Sequence, residues 1–480
     1  MSRAHSLLLA VLLSGCASSS HGGGGMRAAA GPGAGYLTRQ APLARALRAG
    51  YSVLPILTAG DTLFAEESGA APFVFAGRAG GLGVRTSGDG NAFVYVSHDD
   101  AFLDAYEGGM VSRLTMDLRN AGIYAGDYAL RPIDGYNALA HAKIADSRAG
   151  FLRPFLLVSE WANRLRTPSV AAVEGGGAPV QDLPWLGAMS HKSTVPIPLS
   201  GGRLAMILTG GSTTLGTGRD QLYLFLASSD ADVLSGNGTL YVFRADPAAL
   251  RGAGRSAAEL RRGVPITGTF VPIDRGTALS PGALESRVQQ LGCLNFARLE
   301  DVAIDRERGD GFYFTDRFAY ATGTTLLSSA GGGRLYHVLL DPFDPTQVRE
   351  LSVVLDAGEG DDLYRPSSID TDAECVMIQE DPGARGLHPA RILRFDVRTR
   401  RLEPVAVCLE RDSRGRALAE GVGGAWETSG IVNVSDFLGE DSWLFTVQAH
   451  TLRAPQASSH WGEAGQLLLL RGARSPRGGK

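Results

Sequence analysis

Apolar and polar positions along this chain follow short blocks, not a helical period. Six blocks are nearly continuous apolar runs that end on a polar or acidic tip: Phe93 to Asp99, Phe155 to Glu160, Leu204 to Thr209, Phe312 to Asp316, Val376 to Asp381 and Trp443 to His450. Each has the length and apolar content of a short β-strand. Shorter alternating segments precede three of them: Glu300 to Asp305, Ser368 to Asp372 and Ser429 to Val434. A short strand, a polar turn and a second strand make an antiparallel hairpin. Asp89-Gly90 and Asp310-Gly311 are hairpin turn dipeptides, so their acids are read as turn residues. The tips recur roughly every 50–70 residues, a spacing that fits long propeller blades. The pattern predicts an all-β chain folded as a β-propeller, with strand tips far apart in sequence meeting at one axis.

One gap is longer. Between Thr209 and Asp316 lie two more strand candidates, Leu222 to Phe225 and Thr239 to Phe243, and an insertion over 246–292. Within it, Ser280-Pro281 followed by Leu284, Val288 and Leu291 has the spacing and start signal of a short helix. The insertion is expected to leave the propeller edge and cover one mouth.

Composition narrows the function classes. The chain has 480 residues, is 44% hydrophobic and carries a formal net charge of -4, which gives a large core and no basic face. Nucleic acid is therefore not an expected partner. At the N-terminus Arg3 precedes an apolar run from Leu7 to Leu13, too short to span a bilayer. The run ends Leu13-Ser14-Gly15-Cys16, which looks like a bacterial lipoprotein signal; an ordinary secretory signal with a chance cysteine is the alternative. The expected organisation is a signal peptide over 1–15 and a flexible tether over 16–50 lipidated at Cys16. A propeller over 51–472 and a disordered tail over 473–480 follow. That places the protein at the cell envelope, held to a membrane by lipid, with Ala17 compatible with the outer membrane. Of the other cysteines, Cys293, Cys375 and Cys408, an odd number cannot all pair internally. Cys375 and Cys408 could bridge; burial of all three as small apolar residues is the other reading.

Several segments, in order, resemble the PhoX-type alkaline phosphatase family from about Val53 to His450. Ser97-His98-Asp99 resembles its Asn-His-Glu, and Arg298-Leu299-Glu300-Asp301 its Arg-x-Glu-Asp. Leu183 to Gly187 and Trp426 to Ile431 match two loops, while Gln379 to Gly383 and Val447 to Thr451 are the most specific matches. The resemblance implies a six-bladed propeller that hydrolyses phosphate monoesters, with a calcium and iron cluster at one end of the channel. Carboxylates suit that use, because clustered cations need anionic oxygen ligands and can polarise phosphoryl oxygens. It implies Arg298 and Glu300 as catalytic residues, two apart on a strand and so on one side. It implies Asp99, Glu160, Glu300, Glu380 and Glu427 as metal ligands. Glu380 and Asp381 point to opposite faces, so only one can line the channel, and Glu380 is the choice. His98 and His450 either meet near the axis or serve as hydrogen-bonding supports.

The chain also departs from that pattern. The family's iron-binding cysteine is missing from Gly150 to Phe155, Trp161 stands where a second acid is expected, and Thr209-Gly210-Gly211 replaces paired aspartates. Ser367-Ser368 stands for Asp-Asn, and there is no twin-arginine signal. Calcium remains compatible; iron is disfavoured. No Gly-x-Ser-x-Gly elbow or His-Glu-x-x-His helix is present, and Lys192-Ser193 after Gly187 fails the P-loop pattern. Two functions stand side by side. One is a metal-dependent phosphohydrolase acting on a phosphoester. The other is a non-catalytic propeller that binds a ligand or protein partner. Four or more of the named acids around one mouth would favour the first. A mouth lined by Thr209, Gly210, Ser367 and Trp161 would favour the second.

Overall fold

A computed structural model describes residues 35–65, 71–99, 109–163, 165–174, 178–199, 203–211, 219–250, 256–318, 332–383, 387–412, 414–418, 423–454 and 463–472. Nearly all regular structure is β. Six antiparallel runs of four strands follow one another, and their first strands are Ala79–Thr86, Leu139–Ala145, Ser190–Ile197, Leu299–Ile304, Pro366–Thr371 and Glu427–Asn433. Each first strand contacts the next, and the last contacts the first, so the six close a ring. The fold is an all-β propeller.

The apolar blocks of the sequence are the second strands of these units: Asn91–His98, Phe155–Glu160, Leu204–Gly211, Gly311–Asp316, Cys375–Glu380 and Ser442–Arg453. Their continuous apolar character has a direct cause. Successive residues of a strand face opposite sides, and here both sides meet a neighbouring unit. Ile207 packs toward the fourth unit while Leu208 packs toward the second. Phe312 and Phe314 face the third unit while Tyr313 faces the fifth. Met377 faces the sixth unit and Ile378 the fourth. Six apolar clusters result, one in each gap between units. Each fully buried side chain of this kind stabilises by about 1.5–3 kcal/mol.

The ring is closed by the beginning of the chain. Ser52–Thr58 pairs antiparallel with Glu463–Arg471 as the outer strand of the sixth unit, with Ser52 opposite Arg471. The folded body starts earlier than expected. Tyr36 bridges Ile123, and Ala44–Ala46 adds a fifth strand to the fifth unit opposite Cys408. Residues 35–50 therefore belong to the propeller and not to a tether, because their backbone groups complete sheet edges. Cys16, the signal segment and the tail over 473–480 lie outside the described residues.

The insertion does not leave the edge. Its strand Ile266–Ile273 pairs with Thr239–Ala245 on one side and Gln347–Asp356 on the other, knitting the third and fourth units into one nine-stranded sheet. The expected helix forms over Pro281–Leu291, with Pro at its start and Gly292 in a left-handed conformation at its end. Leu284 and Val288 bury against Leu186 and Met189 at the rim of the third unit. Cys293, Cys375 and Cys408 are buried in the gaps between units and form no disulfide with one another. A 375–408 bridge is not formed, since the strand Arg391–Asp396 stands between those two strands.

Candidate functional site at one mouth of the channel

The strand tips have a structural task that recurs around the ring. Glu160 accepts the backbone N–H of Asn137 at 2.6 Å, two residues before its unit's first strand. Asp316 accepts from Ala297 at 2.9 Å and from Arg298 at 2.8 Å in the same way. Glu380 accepts from Tyr364 at 3.0 Å. In the first unit the His98 ring bonds the carbonyl of Gly77 at 2.8 Å. The tip side chain satisfies a backbone group that the entering chain would otherwise bury unpaired. Tips thus lie one strand away from the axis and cap the entry of the first strand.

Two other positions reach the mouth: the residue just before each first strand and the residue just after each tip. They are paired by the N–H of Asp99 on the carbonyl of Arg78 (3.1 Å), Trp161 on Ala138 (3.0 Å), Arg317 on Arg298 (2.9 Å) and Asp381 on Arg365 (3.1 Å). Arg78, Ala138 and Arg365 share a φ of 50°, 42° and 48°, uncommon for non-glycine residues. Because alanine adopts it too, this is the entry geometry of the units.

Glu300 is the centre of this mouth. Arg298 Nε lies 3.0 Å from Oε1, Arg317 3.4 Å from the same oxygen, and Lys192 Nζ 3.7 Å from Oε2. Burial pushes the Glu300 carboxyl upward, but Lys192, Arg298 and Arg317 together hold it far below the usual carboxylate range. The cations feel the same burial. Lys192 is lowered to about 8 by desolvation and by Arg298, and Arg317 is lowered to about 10 by desolvation. Arg317 also pairs with Asp381, and Arg365 Nε donates to the Asp381 carbonyl at 2.9 Å. Arg298 and Arg365 both stack on Phe318, at 5.7 Å and 5.4 Å from the ring centre, and Lys192 sits 4.5 Å over Trp161. These aromatic faces hold the cations by their quadrupoles. Thr209 donates to the Glu300 carbonyl at 2.6 Å and fixes the strand.

The remaining expected residues divide. Asp99 lies at this mouth, where burial raises its carboxyl to about 6 and Oδ1 has no partner among the described residues. Glu427 is 3.9 Å from His450, whose other nitrogen is 2.7 Å from Glu463. Glu160 is held within its own unit by Asn163 at 2.6 Å, Ser169 at 3.1 Å and Arg166 at 3.0 Å. Glu380 is gripped by the Arg391 fork through two 2.8 Å bonds, and its neighbour Asp381 faces the mouth in its place. His98 is a support: its second nitrogen bonds Ser112 at 2.8 Å, and burial lowers its pKa to about 4.

A multi-ion cluster needs carboxylate oxygens converging on shared positions. Among the described residues, no group of three or more His, Cys, Asp or Glu side chains is placed to hold an ion. The oxygens of Glu300 are instead answered by a guanidinium pair and an ammonium. The residues present do not fit the expected cluster. Sequence reading missed Arg317 and Arg365, set Lys192 aside as a failed P-loop position and chose Glu380 over Asp381, although the position after each tip repeats and points to Arg317 and Asp381.

No protein-family model and no curated protein matches the chain. Among solved structures, that of Pseudomonas fluorescens PhoX in complex with vanadate, a transition state analogue, matches with a TM-score of 0.62 at 12% identity. The match covers 92% of this chain and 98% of that one. An α-L-arabinofuranosidase of Fusarium graminearum matches at TM-score 0.41 and 8% identity over 81% of this chain and 92% of that chain. An α-L-arabinanase of Penicillium chrysogenum matches at TM-score 0.42 and 8% identity over 81% of this chain and 93% of that chain. Those two likenesses are too loose to carry an argument. The relation to PhoX is structural: the two chains share a fold along nearly their whole length.

Proposed function

We propose that this protein recognises the phosphate group of a monoester at the Arg298–Glu300 mouth, as a phosphohydrolase related in fold to PhoX. One observation carries the reading. Arg298 binds Glu300 through Nε alone, and its terminal nitrogens have no hydrogen-bond partner among the described residues. A guanidinium fork with two spare donors matches two phosphoryl oxygens. Lys192 and Arg317 stand behind it and balance developing negative charge. Asp99, with a carboxyl raised to about 6 and an Oδ1 without a partner among the described residues, is an acid at this mouth whose ionisation lies near neutrality, as a general base requires; Asp220, which burial raises to about 7, is instead committed to the backbone N–H of Leu299. Glu300, held fully ionised by its three cations, is a poor base and sets the charge and position of Arg298. A lipid on Cys16 would hold this activity at the cell envelope, facing phosphoesters outside the cytoplasm.

The second reading, a propeller that binds without turnover, is favoured by Glu160 and Glu380 being committed to backbone capping. A single experiment separates the two. Release of p-nitrophenol from p-nitrophenyl phosphate, with and without added calcium, is expected for the wild type and lost in Arg298→Gln. Saturable binding of the ester with no release in either condition would establish the second reading.

A further inference from the structure

The mouth of this channel gathers cationic side chains among acids. Four cations, Lys192, Arg298, Arg317 and Arg365, come from three different units and converge around Glu300 and the Phe318 ring, with Asp381 on Arg317 and the carboxylates of Asp220 and Glu427 acting on them from nearby. Two features show that these groups are not simply satisfied by their neighbours. Arg317 Nε is buried with no partner among the described residues. The terminal nitrogens of Arg365, like those of Arg298, have no hydrogen-bond partner there either, since Arg365 bonds only through Nε. Burying cations in this number is costly unless anions compensate them. Glu300 and Asp381 answer Arg317, but the forks of Arg298 and Arg365, both placed over the Phe318 ring, have donors to spare. The mouth therefore has donors for an oxyanion, and among the described residues no three acids, histidines or cysteines converge as a divalent ion would need.

We propose that these four side-chain cations take the charge-compensating place of bound ions, so that a phosphate-type dianion binds at this mouth without a divalent metal. The inference rests on the phosphoester reading above and sharpens it. Arg298 and Arg365, both over the Phe318 ring, hold the outer oxygens. Lys192 and Arg317 neutralise the inner charge. Glu300 is the internal counter-anion, which holds the cations together when the site is empty and competes with the incoming dianion when it is not. That last role runs opposite to a metal ligand's: removing a ligand weakens phosphate binding, whereas removing a competing anion strengthens it.

Calorimetric titration of the full chain with inorganic phosphate tests this in two arms, one dialysed against chelator and one supplied with calcium. Equal affinity in both arms is expected. Glu300→Gln should bind several-fold more tightly, because a charge about 4 Å from the ligand is removed. Arg365→Gln should bind about tenfold more weakly in both arms, as expected for one lost charge-assisted bond. If Glu300→Gln is too unstable to titrate, its melting temperature in phosphate serves instead, with a larger rise than the wild type's as the expected result. Arg365, half-exposed and outside the apolar clusters, keeps the test open in any case. Binding that appears only with calcium, or that Glu300→Gln abolishes in folded protein, would overturn the inference and leave the phosphoester reading standing. No phosphate binding in either arm would overturn both.

Discussion

Glu300 and Asp301 are adjacent acids on one strand, both buried in the channel, and they have opposite characters. Asp301 is saturated. Its oxygens receive Lys143 at 2.9 Å, Ser193 at 2.7 Å and the backbone N–H of Ile369 at 3.0 Å, with His141 at 3.7 Å. Those donors come from the second, third and fifth units, so Asp301 ties the ring together in its middle. Glu300, one residue nearer the mouth, meets only side-chain cations, and their outer donors are left over. The contrast teaches how to separate structural from functional charge in such a channel. A carboxylate whose every lone pair is answered by fixed neighbours holds the fold. One surrounded by cations with spare donors marks a place for a ligand.

The sharpest way to break this division is at Asp301. Asp301→Asn leaves Lys143 buried against a neutral partner and should cost about 3–5 kcal/mol of stability, read as a lowered urea midpoint. Phosphate affinity of the folded fraction should hardly change. Loss of binding with stability intact would assign Asp301 to the site and erase the contrast.

A smaller effect is expected at the off-axis tips. Glu380→Gln breaks the paired bonds from Arg391. Arg391 retains Asp362 at 2.8 Å, so the loss should be about 1.5–3 kcal/mol, typical of hydrogen bonds to a charged group. Calcium content and phosphate binding, measured on the same protein, should match the wild type. A loss of bound calcium in this variant would restore Glu380 as a ligand.

That variant also marks the boundary of what could be read from the sequence. The six apolar blocks, their order and their antiparallel hairpins are legible because burial between two neighbouring units imposes continuous apolar strands. The acidic tips are legible too, but their meaning is not. From sequence, an acid ending a strand looks the same whether it caps a backbone N–H one strand out or faces the axis. Strand period two then reverses the choice between Glu380 and Asp381, since the residue after the tip faces the mouth. The roles of Lys192 and Arg365 were invisible for a different reason. They lie on the third and fifth units, and only closure of the ring brings them beside Glu300 on the fourth. Arg298 and Glu300 could be found because two residues on one strand suffice to place them together.

The least drastic test uses pH to remove one cation from the mouth without a mutation. Desolvation and the neighbouring Arg298 lower Lys192 to about 8, from an ordinary lysine value of 10.5. The native state therefore loses this proton before the unfolded state does. Between those values the unfolded chain binds more protons, so this group makes stability rise with pH there. Ligand binding should move the other way. Sulfate, whose charge stays constant over this range, should bind several-fold more weakly as pH passes about 8, because one of four cations becomes neutral. Lys192→Arg keeps its charge at higher pH and should flatten that decline while binding sulfate below pH 8 much as the wild type does. Stability and affinity would then respond to the same proton in opposite directions, which a saturated structural ion pair such as Lys143–Asp301 would not do. If sulfate affinity stays level through pH 9 in the wild type, Lys192 belongs with Asp301 among the groups that hold the ring, and the ligand site is confined to the arginines around Phe318.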